Sequence, residues 1–170
     1  MPELTPRERL QPSLLDRLRD DARDRSDESR EERVISPKRL KEYVIRDLQW
    51  LLNACDLASV MDLTPYPEVE RSVLNFGLPD LAGRNVSGLD VIDLERALRK
   101  AILAFEPRIL RRSLVIRAGV DDRDMDHNAV RFDIEGALWG VPTPQQLYLK
   151  TRVDLESGDI DVAETLGTRR

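Results

Sequence analysis

At 170 residues, 41% of them hydrophobic and 35% charged, the chain is long enough for one domain with a real core under a densely ionic surface. A net charge of -5 argues against a protein built to neutralise a phosphate backbone, and 5% aromatic residues leave few rings for stacking on bases, sugars or flat cofactors. With Cys55 as the single cysteine, no secretory leader at Met1 to Gln11 and no run of the ~20 apolar residues that span a bilayer, the expectation is a soluble, cytoplasmic protein that makes protein contacts, without membrane insertion, nucleic acid or a small-molecule substrate.

Ser13-Leu14-Leu15-Asp16-Arg17-Leu18 places a capping serine ahead of three leucines on one side of a short helix. From Asp16 to Arg33 every residue but Leu18, Ala22, Ser26 and Ser29 is charged, too polar a stretch to fold alone. Residues 1–33 therefore read as a short helix on a charged flexible arm. The helix is either a loosely attached turn or a docking element that buries Leu14, Leu15 and Leu18 on a partner. Residues 34–165 form the folded domain in this reading, and 166–170 a tail.

Ser36-Pro37 is a helix start, because the serine accepts from a free N–H and the proline loses no bond there. Leu40, Val44, Leu48, Leu51, Leu52 and Cys55 recur at three- and four-residue intervals, which predicts a core-facing helix from Pro37 to about Asn53 with Cys55 buried. Lys38, Lys41, Glu42, Arg46 and Gln49 fall on its other side. Thr64-Pro65-Tyr66-Pro67 breaks the helix, one or two turns follow from Pro67, and Asn75-Phe76-Gly77 ends them with a glycine able to take positive φ. A second long helix is predicted from about Asp90, with Ile92, Leu94, Leu98, Ala101, Ile102 and Phe105 on one face, stopping at Glu106-Pro107.

Beyond it the period changes to two. Leu114, Ile116, Ala118 and Val120 alternate, as do Val130, Phe132, Ile134 and Leu138, then Leu147, Leu149, Thr151, Val153 and Leu155. Ser157-Gly158 turns the chain into a last short strand through Ile160 and Val162. Helices first and strands afterwards indicate an α+β fold, with helices packed on one face of a small antiparallel sheet.

Little here points to chemistry. His127, the lone histidine, lies in the polar stretch Asp121 to Asn128, which lacks the glycine and terminal glutamate of a calcium loop. One cysteine and one histidine far apart offer no zinc site or nucleophile pair, and no phosphate-cradling glycine motif occurs, so no metal, cofactor or catalytic residue is assigned. Glu106 stands out: it closes an apolar helix face, precedes Pro107 and has Arg108 two residues on. As a general acid it would need desolvation and a second carboxylate across a sugar-sized cleft, and the nearby guanidinium favours its charged form. The residues leave open a capped helix end or a Glu/Arg pair presented to a partner, with Pro107 lowering the entropic cost of binding.

Four segments together resemble the TssE family, baseplate subunits of bacterial type VI secretion machines, related to the small baseplate wedge protein of contractile phage tails. They are Leu14 to Leu18, Arg46-Asp47-Leu48-Gln49-Trp50-Leu51-Leu52-Asn53, Tyr66 through Asp80, and Phe105-Glu106-Pro107-Arg108-Ile109-Leu110. The resemblance covers most of the chain, which carries a longer charged linker than the family pattern. It implies a non-enzymatic subunit, assembled near the inner membrane, between a wedge of TssF-, TssG- and TssK-type subunits and the first ring of a TssB- and TssC-type sheath. It further implies that Glu106, Pro107 and Arg108 face the wedge and that strand exchange with the sheath is sought at Leu147 to Leu155 and Ile160 to Val162. On this reading Glu106→Ala leaves the fold intact but weakens capture of wedge partners. Phage relatives labelled lysozyme-like make peptidoglycan hydrolysis, with Glu106 as acid, the alternative. A third class is an adaptor whose only binding element is the N-terminal helix.

Overall fold

Two helices lay their apolar stripes on one face of a four-stranded antiparallel sheet in the computed structural model, which describes residues 13–18, 36–81, 91–119, 129–139 and 144–165. The charged stretch 19–33, residues 82–90, Val120, the His127 segment and residues 166–170 lie outside the described residues. In chain order the elements are α1 (Leu14–Leu18), α2 (Pro37–Leu52), two short 3-10 turns (Leu57–Ser59 and Val73–Asn75) flanking α3 (Pro67–Glu70), α4 (Val91–Phe105), and β1 (Val115–Gly119), β2 (Ala129–Leu138), β3 (Gln145–Asp154) and β4 (Ile160–Glu164).

The Ser36 hydroxyl accepts from the Arg39 N–H at 3.2 Å, Pro37 opens α2, and Asn53 closes it by donating its side-chain N–H to the Gln49 carbonyl. Leu40, Val44, Leu48, Leu51 and Leu52 are buried as predicted, each stabilising the fold by ~2 kcal/mol. Cys55 is not: the helix ends three residues earlier, and Cys55 is exposed beside its parallel bridge to Leu78. The apolar period ran past the point where Asn53 stops the helix.

From 54 to 80 the chain is irregular but closely held. Asn75 is buried, accepting from the Ala58 N–H at 2.9 Å and donating to the Glu70 carbonyl at 3.1 Å, so one amide ties both 3-10 turns to α3. Gly77 has φ +135°, and a Cβ there would stand 2.3 Å from the Ala54 carbonyl oxygen. Only glycine lets the two backbones approach this closely.

In α4, Leu94, Leu98, Ala101 and Ile102 are buried, and Phe105 meets Phe76 edge-on at 5.2 Å. Ile92, placed on the core stripe by its period, is exposed instead, and Val91 takes the inward position at the helix start. The strands run in the order β1-β2-β3-β4, each antiparallel to the next. Phe132, Ile134, Leu147, Leu149, Val153 and Ile160 face the helices, while Ala118, also expected inward, is exposed at the sheet margin.

Candidate docking site

α4 ends where Pro107 would require a continued helix without an N–H. Glu106 still donates its own N–H to the Ile102 carbonyl at 2.9 Å, then the chain turns, with the Ile109 N–H reaching the Glu106 carbonyl. The turn is fixed to the end of β2 from both sides. The Trp139 N–H donates to the Arg108 carbonyl at 2.7 Å and the Leu110 N–H to the Ala137 carbonyl at 2.9 Å. Ser113 adds a clip, accepting from the Ala137 N–H and donating to the Leu110 carbonyl. Ala137 and Leu138 are both buried beneath this turn, which interrupts the alternation of β2.

Within this frame Glu106 is 3% exposed and its carboxylate is fully engaged. One oxygen accepts from the Arg108 backbone N–H at 3.1 Å and from Nε at 2.6 Å; the other accepts from a terminal guanidinium nitrogen at 2.5 Å. That terminal nitrogen also donates to Asp47 of α2 at 2.6 Å. The second Asp47 oxygen accepts from Arg46, whose remaining nitrogen donates to Asp16 of α1 at 2.5 Å. Asp16 is in turn met by the Ser13 hydroxyl at 2.6 Å. Carboxylate and guanidinium thus alternate without a gap from Glu106 through Arg108, Asp47 and Arg46 to Asp16. Such charge-assisted bonds are the strong members of the hydrogen-bond scale.

Burial pushes the Asp16 carboxyl up, but the hydrogen bonds from Arg46 and Ser13 outweigh it and hold it below its ordinary value. For Arg46 the bond to Asp16 is the leading cause that raises the guanidinium further above its already high value. Burial disfavours the charge on Arg108, yet the bonds and charge of Glu106, then those of Asp47, more than offset it. The net direction at Asp16, Arg46 and Arg108 favours the charged form.

The relay also decides how α1 sits. The Asp16 side chain is 2% exposed against α2, whereas Leu14 and Leu18 are 70% and 74% exposed and Leu15 is half open. Arg46 lies between the rings of Tyr43 and Trp50, 5.0 and 4.9 Å from their centroids. Leu15, Asp16, Leu18, Arg46 and Trp50 line an open groove of about 270 Å³. Pro107, next to Arg108 in the chain, and Trp139, bonded to the Arg108 carbonyl, are exposed, and Arg108 is partly exposed.

The six residues singled out from sequence as partner-binding therefore fall into two roles. Pro107, Leu14, Leu15, Leu18 and part of Arg108 are at the surface, and Glu106 is beneath it, holding Arg108. Sequence reasoning missed Asp47, Arg46 and Asp16 as the links between them. No local signal marks them: Asp47 stands at the margin of the α2 stripe like many helix carboxylates, and its partners Arg108 and, through Arg46, Asp16 are distant in sequence. Among the described residues no His, Cys, Asp and Glu cluster could hold a metal ion, no buried side-chain polar atom lacks a partner, and no helix is long and apolar enough to cross a membrane.

The family described as baseplate wedge protein gp25 has a model that matches residues 38–143, from the first turn of α2 through the Glu106 turn to the segment after β2. No curated protein and no solved structure matches the chain at the significance required. The match takes in Asp47, Glu106 and Arg108 together with most of the core that positions them, and on that ground the chain belongs to the baseplate wedge protein gp25 family.

Proposed function

We propose that this chain is a TssE-type baseplate subunit of a type VI secretion machine, docking on TssF-, TssG- and TssK-type wedge subunits and helping to start a TssB- and TssC-type sheath. The coarser role, a structural component of a contractile-tail baseplate, comes with the family. The observation that carries the finer reading is the relay from Glu106 to Asp16. It joins two docking elements that are far apart in sequence into one face, with Arg108, Pro107 and Trp139 at one end and the α1 leucines and Trp50 at the other. Exposed tryptophan beside a fixed arginine is the composition of an interface centre rather than of ordinary surface, and the α1 leucines add apolar area to it. In this reading Glu106 is a positioning residue and Arg108 the residue that meets the wedge, in the cytoplasm at the inner membrane.

Hydrolysis of peptidoglycan is poorly served by the same geometry. Both Glu106 oxygens are bound to Arg108, and Arg108 also binds the nearest second carboxylate, Asp47, so a guanidinium occupies the space a sugar would need.

Capture of purified wedge subunits by the full chain tests the proposal. Leu14→Ser with Leu18→Ser, and separately Pro107→Ala, are expected to weaken capture by about tenfold or more while the melting temperature holds. Capture unchanged by both would sink the docking face. Release of soluble fragments from murein by the purified chain, abolished in Glu106→Gln, would overturn the structural role itself.

A further inference from the structure

The irregular stretch from Ala54 to Asp80 is built inside out. In the 3-10 turn Val73–Asn75 the two apolar residues stand in water, Val73 77% and Leu74 67% exposed, while the polar Asn75 is buried. Burial alone would choose the opposite arrangement. The Asn75 amide joins the first 3-10 turn to the end of α3 through its bonds to the Ala58 N–H and the Glu70 carbonyl. Val60 and Met61, which follow that first turn, and Tyr66, the N-cap of α3, are exposed as well. None of these five apolar residues belongs to the relay or to the groove beside α1.

The backbone that carries them is fixed. The Leu78 N–H donates to the Ala54 carbonyl at 2.8 Å and the Asp56 N–H to the Leu78 carbonyl at 2.9 Å, which closes the ends of the stretch on each other. Pro65 and Pro67 restrict its middle, and Phe76 packs on Phe105. A surface held this way loses little conformational freedom when a partner covers it.

Its charge selects the partner. From Ala54 to Asp80 there are five Asp and Glu residues against Arg71 alone, a net of -4 in a chain whose net charge is -5. Lys100 answers Glu70 at 2.7 Å, but Asp62 and Glu68 are exposed with no cation partner among the described residues. Acids beside the apolar residues are repelled by an anionic membrane surface, and by each other in a two-fold contact between copies, where the same patch faces itself.

We infer that Val60, Met61, Tyr66, Val73 and Leu74 form a second docking face, which takes an amphipathic segment of a wedge subunit whose apolar residues are flanked by lysine or arginine. The apolar side chains of that segment cover the five exposed residues, and its cations meet Asp62 and Glu68. This rests on the wedge half of the proposed function and adds a face that meets its partner with carboxylates, where the first uses the Arg108 guanidinium.

A p-benzoylphenylalanine photo-crosslinker placed at Val73 of the full chain, mixed with purified TssF-, TssG- and TssK-type subunits, tests the inference. The crosslink is expected on an apolar segment of one of them that is flanked by lysine or arginine. Val73→Ser with Leu74→Ser is expected to weaken capture of that subunit about tenfold or more at an unchanged melting temperature. Glu68→Lys with Asp62→Asn, which keeps the acceptor for the Thr64 N–H, is expected to weaken it about threefold or more at low ionic strength, less as salt is added. Capture unchanged by both pairs, while Leu14→Ser with Leu18→Ser still weakens it, overturns this face and leaves the first standing. Weakening by the apolar pair alone, or a crosslink to an acidic segment, overturns the basic partner. A crosslink within the chain or between copies makes the chain itself the occupant and overturns the inference. Failure of the unaltered chain to capture any of the three subunits sinks the wedge reading, and this inference with it.

Discussion

Asp47 and Arg108, 61 residues apart in the chain, meet at 2.6 Å, and this bond joins the α2 half of the relay to the turn that follows α4. It ties the Glu-Pro-Arg turn to a helix face, so the motif's geometry depends on residues outside it.

Glu106→Ala is expected to cost about 3 kcal/mol of folding stability, because it leaves the Arg108 guanidinium partly buried with half its partners gone. The fold is expected to stay intact at this loss, as read from the sequence, with a lower melting point. Denaturant melts of Glu106→Ala and of Glu106→Gln, which keeps an acceptor, would measure it; a loss under about 0.5 kcal/mol in both would show that the carboxylate holds nothing.

Release of α1 by acid is expected. The folded Asp16 carboxyl lies below its ordinary value of about 3.9, so its pairing contributes fully above that pH and is lost as pH falls through the lowered folded value. Trp50 emission, read in a Trp139→Phe background, reports the change through the stacked Arg46. Asp16→Asn should show the released signal already at neutral pH, and no difference between the two chains there would refute the clasp.

Gly77→Ala is expected to cost about 3 kcal/mol or more, since φ +135° and a contact of 2.3 Å to backbone cannot both be relieved. Thermal melts decide it, with Gly136→Ala as the milder comparison; there the nearest atom is an Ile109 methyl at 3.2 Å.

Cys55 is expected to react with a maleimide in the native state, to completion and without denaturant, and Cys55→Ser to shift stability by less than about 0.5 kcal/mol. Protection of the thiol until unfolding would contradict the helix end at Leu52.

Much of this fold was legible because period alone reports it. The stripes of α2 and α4 and the alternation of β2 and β3 came from the spacing of Leu, Val and Ile, and the layers follow from helices preceding strands. Its failures cluster where spacing carries no information about chain ends: Cys55 past the Asn53 cap, Ile92 at the start of α4 and Ala118 at the sheet margin. The site was half legible. Glu106 and Arg108 are neighbours in sequence, but Asp47, Arg46 and Asp16 join them only through the packing of α2 against the end of α4, which no local pattern encodes. Gln49 reads as a solvent-facing position on α2, and its amide is instead bonded to β4.

The turn carrying Arg108 is bonded through Trp139 and Leu110 directly to the last residues of β2, with no slack segment between them. β2 is paired with β1 on one side and β3 on the other, and its end carries the turn that holds Arg108. The path from the sheet to Arg108 is therefore made of main chain and backbone hydrogen bonds, so the position of the guanidinium is set by the strand rather than by a loop.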